Sequence, residues 1–166
     1  VTKTTGKFSN FRFSMKTVKP SFKVGNDGLR SNGIKNKMSL SGELETADIE
    51  DGKQVEKLLT ASQNNNALKI SWQHNDATKI HRYTIENINR LKSVTNIDLQ
   101  WNGKPMSMDA KGEASVAVPA EGDCKVLDVM AVNDAQQYAS VQFSDMIAVG
   151  QDLTGLITVS GQADIS

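Results

Sequence analysis

The segment ALKISWQHNDATKIHRYTIENI, from Ala67 to Ile88, constrains the fold of this chain more than any other. Apolar and polar side chains alternate on both sides of a short polar interruption, at the period of a half-buried β-strand. We predict a β-hairpin with its turn at Asn75–Thr78 and with His74 opposite Lys79. This register gathers the apolar side chains of both strands on one face, because directly opposed residues share a face. The other predicted pairs are Trp72 with His81, Ile70 with Tyr83 and Leu68 with Ile85.

Similar alternation recurs along the chain and predicts a mainly β protein. About eight strand signals at short spacing, with one helical pattern, are typical of an antiparallel β-sandwich. The Gly- and Asn-rich stretch Asn26–Asn36 predicts a loop, and Gly42 predicts a β-bulge. Outside the hairpin, the strand signals lie at Phe11–Val24 (broken at Pro20), Met38–Leu44, Val94–Trp101, Glu113–Val118, Lys125–Val132, Tyr138–Phe143 and Leu153–Val159.

One stretch has a different period and predicts a short α-helix. In DGKQVEKLLTAS the residues Val55, Leu58, Leu59 and Ser62 fall on one helical face. Asp51 precedes this pattern and has capping-box spacing to Gln54. We predict a helix near residues 52–61 that ends at the polar run QNNN, residues 63–66.

The order of these patterns suggests three parts. Residues 1–17 would be the closing strand of a preceding β-domain or a linker. Residues 18–120 would be a β-sandwich domain containing the short helix, and residues 121–166 the opening strands of a following domain. The stretch PAEGD, residues 119–123, has the composition of a linker. The first ten residues, VTKTTGKFSN, lack an initiator Met and an apolar leader segment, so we interpret them as a boundary within a longer chain.

Composition excludes some classes of partner. The 19 Lys and Arg residues balance 19 Asp and Glu residues, so no basic excess is present to hold a phosphate backbone. No stretch approaches the ~20 apolar residues that span a bilayer. The single cysteine, Cys124, cannot form an internal disulfide. We predict a small buried or half-buried thiol there, because nothing in the sequence supplies a base to activate it.

The two histidines, His74 and His81, are the strongest candidates for a metal site. On the predicted hairpin they are diagonal neighbours and could approach one ion, but a third ligand would have to come from Asp76 or Glu86. Nothing in the sequence fixes either carboxylate there. We therefore predict no metal site, with His81 packed under Trp72 and His74 at the wet end of the hairpin.

Three aromatic residues offer a second candidate site. Trp72, Tyr83 and Trp101 could stack against a sugar ring, but each lies on the face assigned to the core. The acidic run ELETADIED, residues 43–51, lacks the alternating oxygen ligands of a calcium loop and suits the start of a helix. No catalytic motif of a known type is present. We predict no catalytic residue and no bound cofactor.

The segment FSDMIAVGQDLTGLITV resembles a signature of bacterial α2-macroglobulin-like proteins. In that family, Phe-Ser-Asp or Phe-Ser-Glu at the end of a strand is followed by a loop and Gln-Asp-Leu-x-Gly-Leu-Ile. The matching residues here are Phe143, Ser144, Asp145, Gln151, Asp152, Leu153, Gly155, Leu156 and Ile157. Upstream, LSGELETADIEDGKQVEKLL, ISWQH and VAVPA resemble the preceding domain in versions from Bacteroides-type bacteria. The resemblance spans roughly residues 8–166.

The resemblance implies a long extracytoplasmic chain of macroglobulin- or immunoglobulin-like sandwich domains that entraps proteases. The parent would be a periplasmic or cell-envelope protein with a lipoprotein anchor outside this segment. Some members form a thioester from a Cys-x-x-Gln motif, but Cys124 is followed by Lys125, Val126 and Leu127. No functional residue of the family therefore maps onto this chain. The implied partners are neighbouring domains of the same chain, and target proteases through other parts of the parent.

Two other functional hypotheses stay open. A carbohydrate-binding or adhesin module would need Trp72, Tyr83 and Trp101 to face solvent in a row. An enzyme would need His74, His81 and carboxylates to converge in a pocket. The leading prediction remains a non-enzymatic structural module.

Overall fold

A computed structural model describes residues 14, 17, 19–75, 77–133, 137–152 and 155 of the chain. Within this part the chain forms antiparallel β-strands and one short α-helix, so the predicted mainly β class is confirmed. The elements are β1 (Phe22–Ser31), β2 (Lys37–Thr46), α1 (Gly52–Val55), a 3-10 turn (Glu56–Leu58), β3 (Leu59–Gln63), β4 (Asn66–Ala67), β5 (Ile70–His74), β6 (Ile80–Asn89), β7 (Thr95–Asn102), a second 3-10 turn (Lys104–Met106), β8 (Lys111–Val118), β9 (Val126–Asn133) and β10 (Gln137–Phe143).

Two four-stranded sheets enclose the main core. Sheet A has the strand order β1-β2-β6-β5, and sheet B has the order β4-β3-β7-β8. One apolar cluster takes its buried residues from both sheets, as in a β-sandwich. Sheet A contributes Leu29, Met38, Leu40, Tyr83, Ile85 and Ile88, and sheet B contributes Leu59, Ala61, Ile97, Leu99 and Val118. We call β1 to β8 the sandwich.

The predicted β5–β6 hairpin is present, but its predicted register is wrong by two residues. His74 lies opposite His81, Trp72 opposite Tyr83 and Ile70 opposite Ile85. The connection is longer than predicted, since β5 ends at His74 and β6 begins only at Ile80. A shift of two residues keeps every side chain on its predicted face, so the same apolar side chains still lie together on one face of the hairpin.

The predicted helix is shorter than residues 52–61. Asp51 caps α1 as expected, with its Oδ1 accepting from the amides of Lys53 at 2.8 Å and Gln54 at 3.3 Å. From Leu59 onward the chain is a strand, because β3 pairs with β7. The polar run 63–66 therefore does not end a helix. Asn64 and Asn65 adopt φ values of 49° and 63°, and they form a tight turn into β4.

Sheet A differs from the prediction in two further places. The stretch Asn26–Asn36 is not all loop, because β1 continues through Ser31 with a bulge between Asn26 and Leu29. Gly42 borders this bulge, because it pairs with Asn26, but the extra residue is on β1 and not at Gly42. A Cβ atom there would lie 2.5 Å from Oη of Tyr83, so glycine makes room for the tyrosine ring.

The strands β9 and β10 form a separate two-stranded antiparallel sheet, which we call the ribbon. It follows the stretch 119–123 after β8 and lies next to β1. Six of the fourteen residues of the strand predicted at Phe11–Val24 lie outside the described residues, and its last three, Phe22–Val24, begin β1. Nearly all of residues 1–17, and all of the strand predicted at Leu153–Val159 except Gly155, lie outside the described residues. The three predicted parts of the chain stay predictions.

Candidate functional site

Arg90 follows directly after β6, and its side chain is buried where the sandwich meets the ribbon. The side chain is only 1% exposed. A buried guanidinium needs partners for its five N–H donors, and five acceptors surround it. These are the carbonyl oxygens of Pro119 (3.4 Å), Ala120 (2.6 Å), Asp123 (3.0 Å) and Ser144 (3.2 Å), and Oδ1 of Asp145 (2.6 Å). We call these six residues the Arg90 junction.

Ser144 connects the start of β9 to the end of β10 within this junction. Its amide donates to the carbonyl of Lys125 at 2.8 Å, and its hydroxyl accepts from the amide of Lys125 at 2.9 Å. The hydroxyl proton faces two acceptors, the carbonyl of Asp123 at 3.1 Å and Oδ2 of Asp145 at 3.0 Å. The start of β9 and the end of β10 are therefore held by one residue that is 3% exposed.

The charges of the junction are matched. The hydrogen bond from Arg90 lowers the pKa of Asp145 below its ordinary value, while partial burial acts in the opposite direction. A second hydrogen bond, from Ser144, also lowers this pKa. Asp145 is therefore a carboxylate at neutral pH, and the buried cation faces an anion and four carbonyl dipoles.

Backbone bonds around Arg90 tie in two further segments. The amide of Arg90 donates to the carbonyl of Asn36, in the connection between β1 and β2, at 3.0 Å. The amide of Glu121 donates to the carbonyl of Leu91 at 2.7 Å, and Glu121 Oε1 accepts from Nδ2 of Asn36 at 2.5 Å. The linker 119–123 is thus held along its length, and the ribbon leaves the sandwich from a fixed point.

Sequence reasoning found part of this site. It assigned residues 119–123 to a linker and singled out Phe143, Ser144 and Asp145, but it missed Arg90. The sequence around that residue, INRLKSV, does not distinguish a buried arginine from an exposed one. One feature of the sequence could have drawn attention to Arg90: it comes directly after a long strand pattern, where the chain leaves the sheet.

The histidines lie closer together than the predicted diagonal. Their Nδ1 atoms are 2.9 Å apart, and Nε2 of His74 lies 3.1 Å from Oε1 of Glu56. Trp72 stacks on His74, with ring centroids 5.8 Å apart, whereas His81 was expected beneath it. His81 is buried, at 2% exposure.

The described residues contain no group of three or more His, Cys, Asp or Glu side chains arranged to hold a metal ion. Of the two carboxylates considered as a third ligand, Asp76 lies outside the described residues. Glu86 is an exposed residue of β6. The prediction of no metal stays a prediction.

The aromatic residues do not line up in solvent. Tyr83 is 1% exposed and belongs to the main core. Trp72 and Trp101 are half-buried and pack against that core from different sheets. This arrangement supports the interpretation of these residues as packing groups and leaves the sugar-platform hypothesis without its required surface.

Two smaller predictions have opposite outcomes. Asp51, in the acidic run, is the N-cap of α1, as expected of a helix start. Cys124, predicted to be buried or half-buried, is exposed. It lies two residues before β9 begins, so the strand pattern that follows it does not determine its burial.

No family model matches the chain, and neither a curated protein nor a solved structure matches it. The resemblance to α2-macroglobulin-like proteins therefore stays a prediction. In the described part of the chain, no helix has the length and apolar character needed to cross a membrane.

Proposed function

We propose that this chain is a non-enzymatic structural module of a bacterial α2-macroglobulin-like, protease-trapping protein. The observation that carries the proposal is the Arg90 junction, in which one buried side chain binds both the linker and the exit of β10. Such a contact fixes the direction in which one module follows another. It involves Ser144 and Asp145, two residues of the segment on which the resemblance depends.

The junction suits a frame that must move as a body. A trap that responds to cleavage of one loop needs domains that transmit displacement without bending at every linker. At the junction, bending would separate Arg90 from several acceptors at once, and each buried polar group left unpaired costs about 1–3 kcal/mol. The linker therefore behaves as part of the sandwich.

The proposal includes partners and a location. Neighbouring domains of the same chain would contact the ribbon, and target proteases would meet other parts of the parent. The parent would be an extracytoplasmic protein of the periplasm or cell envelope, anchored as a lipoprotein through a segment outside this chain. Neither a cofactor nor nucleic acid is part of the proposed function.

The test begins with the complete coding sequence and continues with the full-length protein. We expect a chain of further sandwich domains that, once cleaved, blocks a broad-specificity protease from large protein substrates but not from small peptide substrates. Entrapment predicts this difference because a small substrate still reaches an enclosed active site. A complete chain that ends near Ser166, or equal inhibition for both substrate sizes, would contradict the proposal.

A further inference from the structure

An open cleft of about 550 Å³ lies between β10 and the connection from β1 to β2. Its volume is within the range of about 300–1,000 Å³ that is typical of ligand sites. On one side it is lined by the consecutive residues Ser140, Val141, Gln142 and Phe143. Side chains of neighbouring residues in a strand point to opposite faces, so a cleft on one face would contact only every second residue. A cleft lined by four consecutive residues must instead run along the edge of the strand. The cleft therefore follows the edge of β10 that is not paired with β9.

The opposite side of the cleft carries a positive charge. Arg30, near the end of β1, lines the cleft and is exposed. Among the described residues, no carboxylate lies within ion-pair distance of Arg30. Asp145 also lines the cleft, but Arg90 holds its carboxylate at 2.6 Å. An anionic group entering the cleft would thus meet a guanidinium without a competing partner.

Two of the remaining lining residues are apolar, and the ribbon beside the cleft exposes further apolar side chains. Met146 and Ile147 follow β10 in the lining, and Met146 is 68% exposed. Outside the cleft, the ribbon exposes Val129 (60%) and Tyr138 (58%), beside which an added strand would lie. Two-stranded ribbons are at best marginally stable alone in water, and a third strand adds both hydrogen bonds and apolar contacts.

We propose that this cleft is a strand-addition site for an extended segment of another protein, with alternating apolar side chains and a carboxylate that pairs with Arg30. The inference does not rest on the proposed function. The charge argues against two other occupants. The later segment LTGLITV of this chain contains no Asp or Glu, and Asp152, directly before it, already has an interaction partner. The strand β10 itself, QYASVQF, contains none either, and Asp145 after it is held by Arg90. Neither that segment nor a second copy of β10 would supply the carboxylate.

The test uses the full chain and capped dodecapeptides selected from a random library. We expect selected peptides to alternate apolar residues and to carry at least one Asp or Glu. In NMR titrations their largest amide shifts should fall on Ser140–Phe143 and Arg30. Arg30→Gln should weaken peptide binding at least fivefold. Lys23→Gln, which removes an exposed charge from the same strand, should leave the Kd within twofold.

Several results would overturn the proposal. They are a selection that enriches no peptide, shifts that map elsewhere, and equal effects of Arg30→Gln and Lys23→Gln. Self-association of the chain through the same amides would make a second copy the occupant. Binding that appears only when the chain is shortened to end at Asp152 would make its own later residues the occupant.

Discussion

Gly42 and Tyr83 form one unit in sheet A, although they are far apart in sequence. The two residues lie opposite each other on β2 and β6, and the tyrosine hydroxyl donates to the carbonyl of Gly25 at 2.8 Å. A Cβ atom on Gly42 would lie 2.2 Å from that carbonyl oxygen. The phenol thus occupies the space of a side chain that position 42 cannot carry.

Gly42→Ala should therefore destabilise the protein by about 2–3 kcal/mol, as overpacking in a well-packed core does. Gly25→Ala is the matched control on the neighbouring strand. There the nearest atom to a new Cβ is the carbonyl oxygen of Glu43, at 4.0 Å. Urea unfolding of both variants measures the difference. Equal effects would mean that the sheet adjusts around position 42 without cost.

The same tyrosine predicts a stability change at alkaline pH. Burial and, to a smaller extent, the charge of Asp27 together raise the pKa of Tyr83 to about 12. The unfolded chain releases this proton near pH 10, whereas the folded chain keeps it until about pH 12. This group therefore leaves the free energy of unfolding unchanged below pH 10 and lowers it as the pH rises toward 12. Between pH 9 and pH 11, the free energy of unfolding of the wild type should fall by about 1.4 kcal/mol more than that of Tyr83→Phe. Parallel pH profiles of unfolding would contradict this.

Among the elements, the β5–β6 hairpin shows which features a sequence determines. Period-two alternation fixes which side chains share a face, and that prediction held for Trp72, Tyr83 and Ile85. It does not fix the register, which here differs by two residues because the connection between His74 and Ile80 is longer than the predicted turn. The pattern Val55, Leu58, Leu59 fits a helix and a helix-to-strand transition equally, and pairing with β7 decides between them.

Trp72→Ala tests the orientation of that hairpin. The indole is half-buried, stacks on His74 and contacts the core, with its ring centroid 5.6 Å from that of Tyr83. We expect a loss of about 2–4 kcal/mol, because truncation removes much buried apolar area. Gln73→Ala, on the opposite and exposed face of β5, is the control and should change stability little. An unchanged melting temperature for Trp72→Ala would contradict the packing described.

At the scale of the whole molecule, the sandwich and the ribbon meet at a polar contact. The carbonyl groups around Arg90 come from the linker and from the end of β10, and its amide reaches the β1–β2 connection. Sequence reasoning could not predict this contact, because it joins segments more than fifty positions apart, such as Arg90 and Ser144. In a sequence, a strand pattern can be followed by a buried arginine or by an exposed one. The pattern before Arg90 therefore did not indicate that this side chain is buried.

Hydrogen exchange in Arg90→Met measures the role of this contact directly. Removing the guanidinium leaves its acceptors without their donor, so the ribbon should open more readily than the sandwich. We expect ribbon amides, in residues 126–133 and 137–143, to exchange at least tenfold faster, while amides of β6 and β7 change less than threefold. Arg82→Met is the control, because Arg82 makes an exposed ion pair with Glu43 at 2.7 Å. Ribbon protection equal to that of the wild type would contradict the claim that Arg90 joins the two parts.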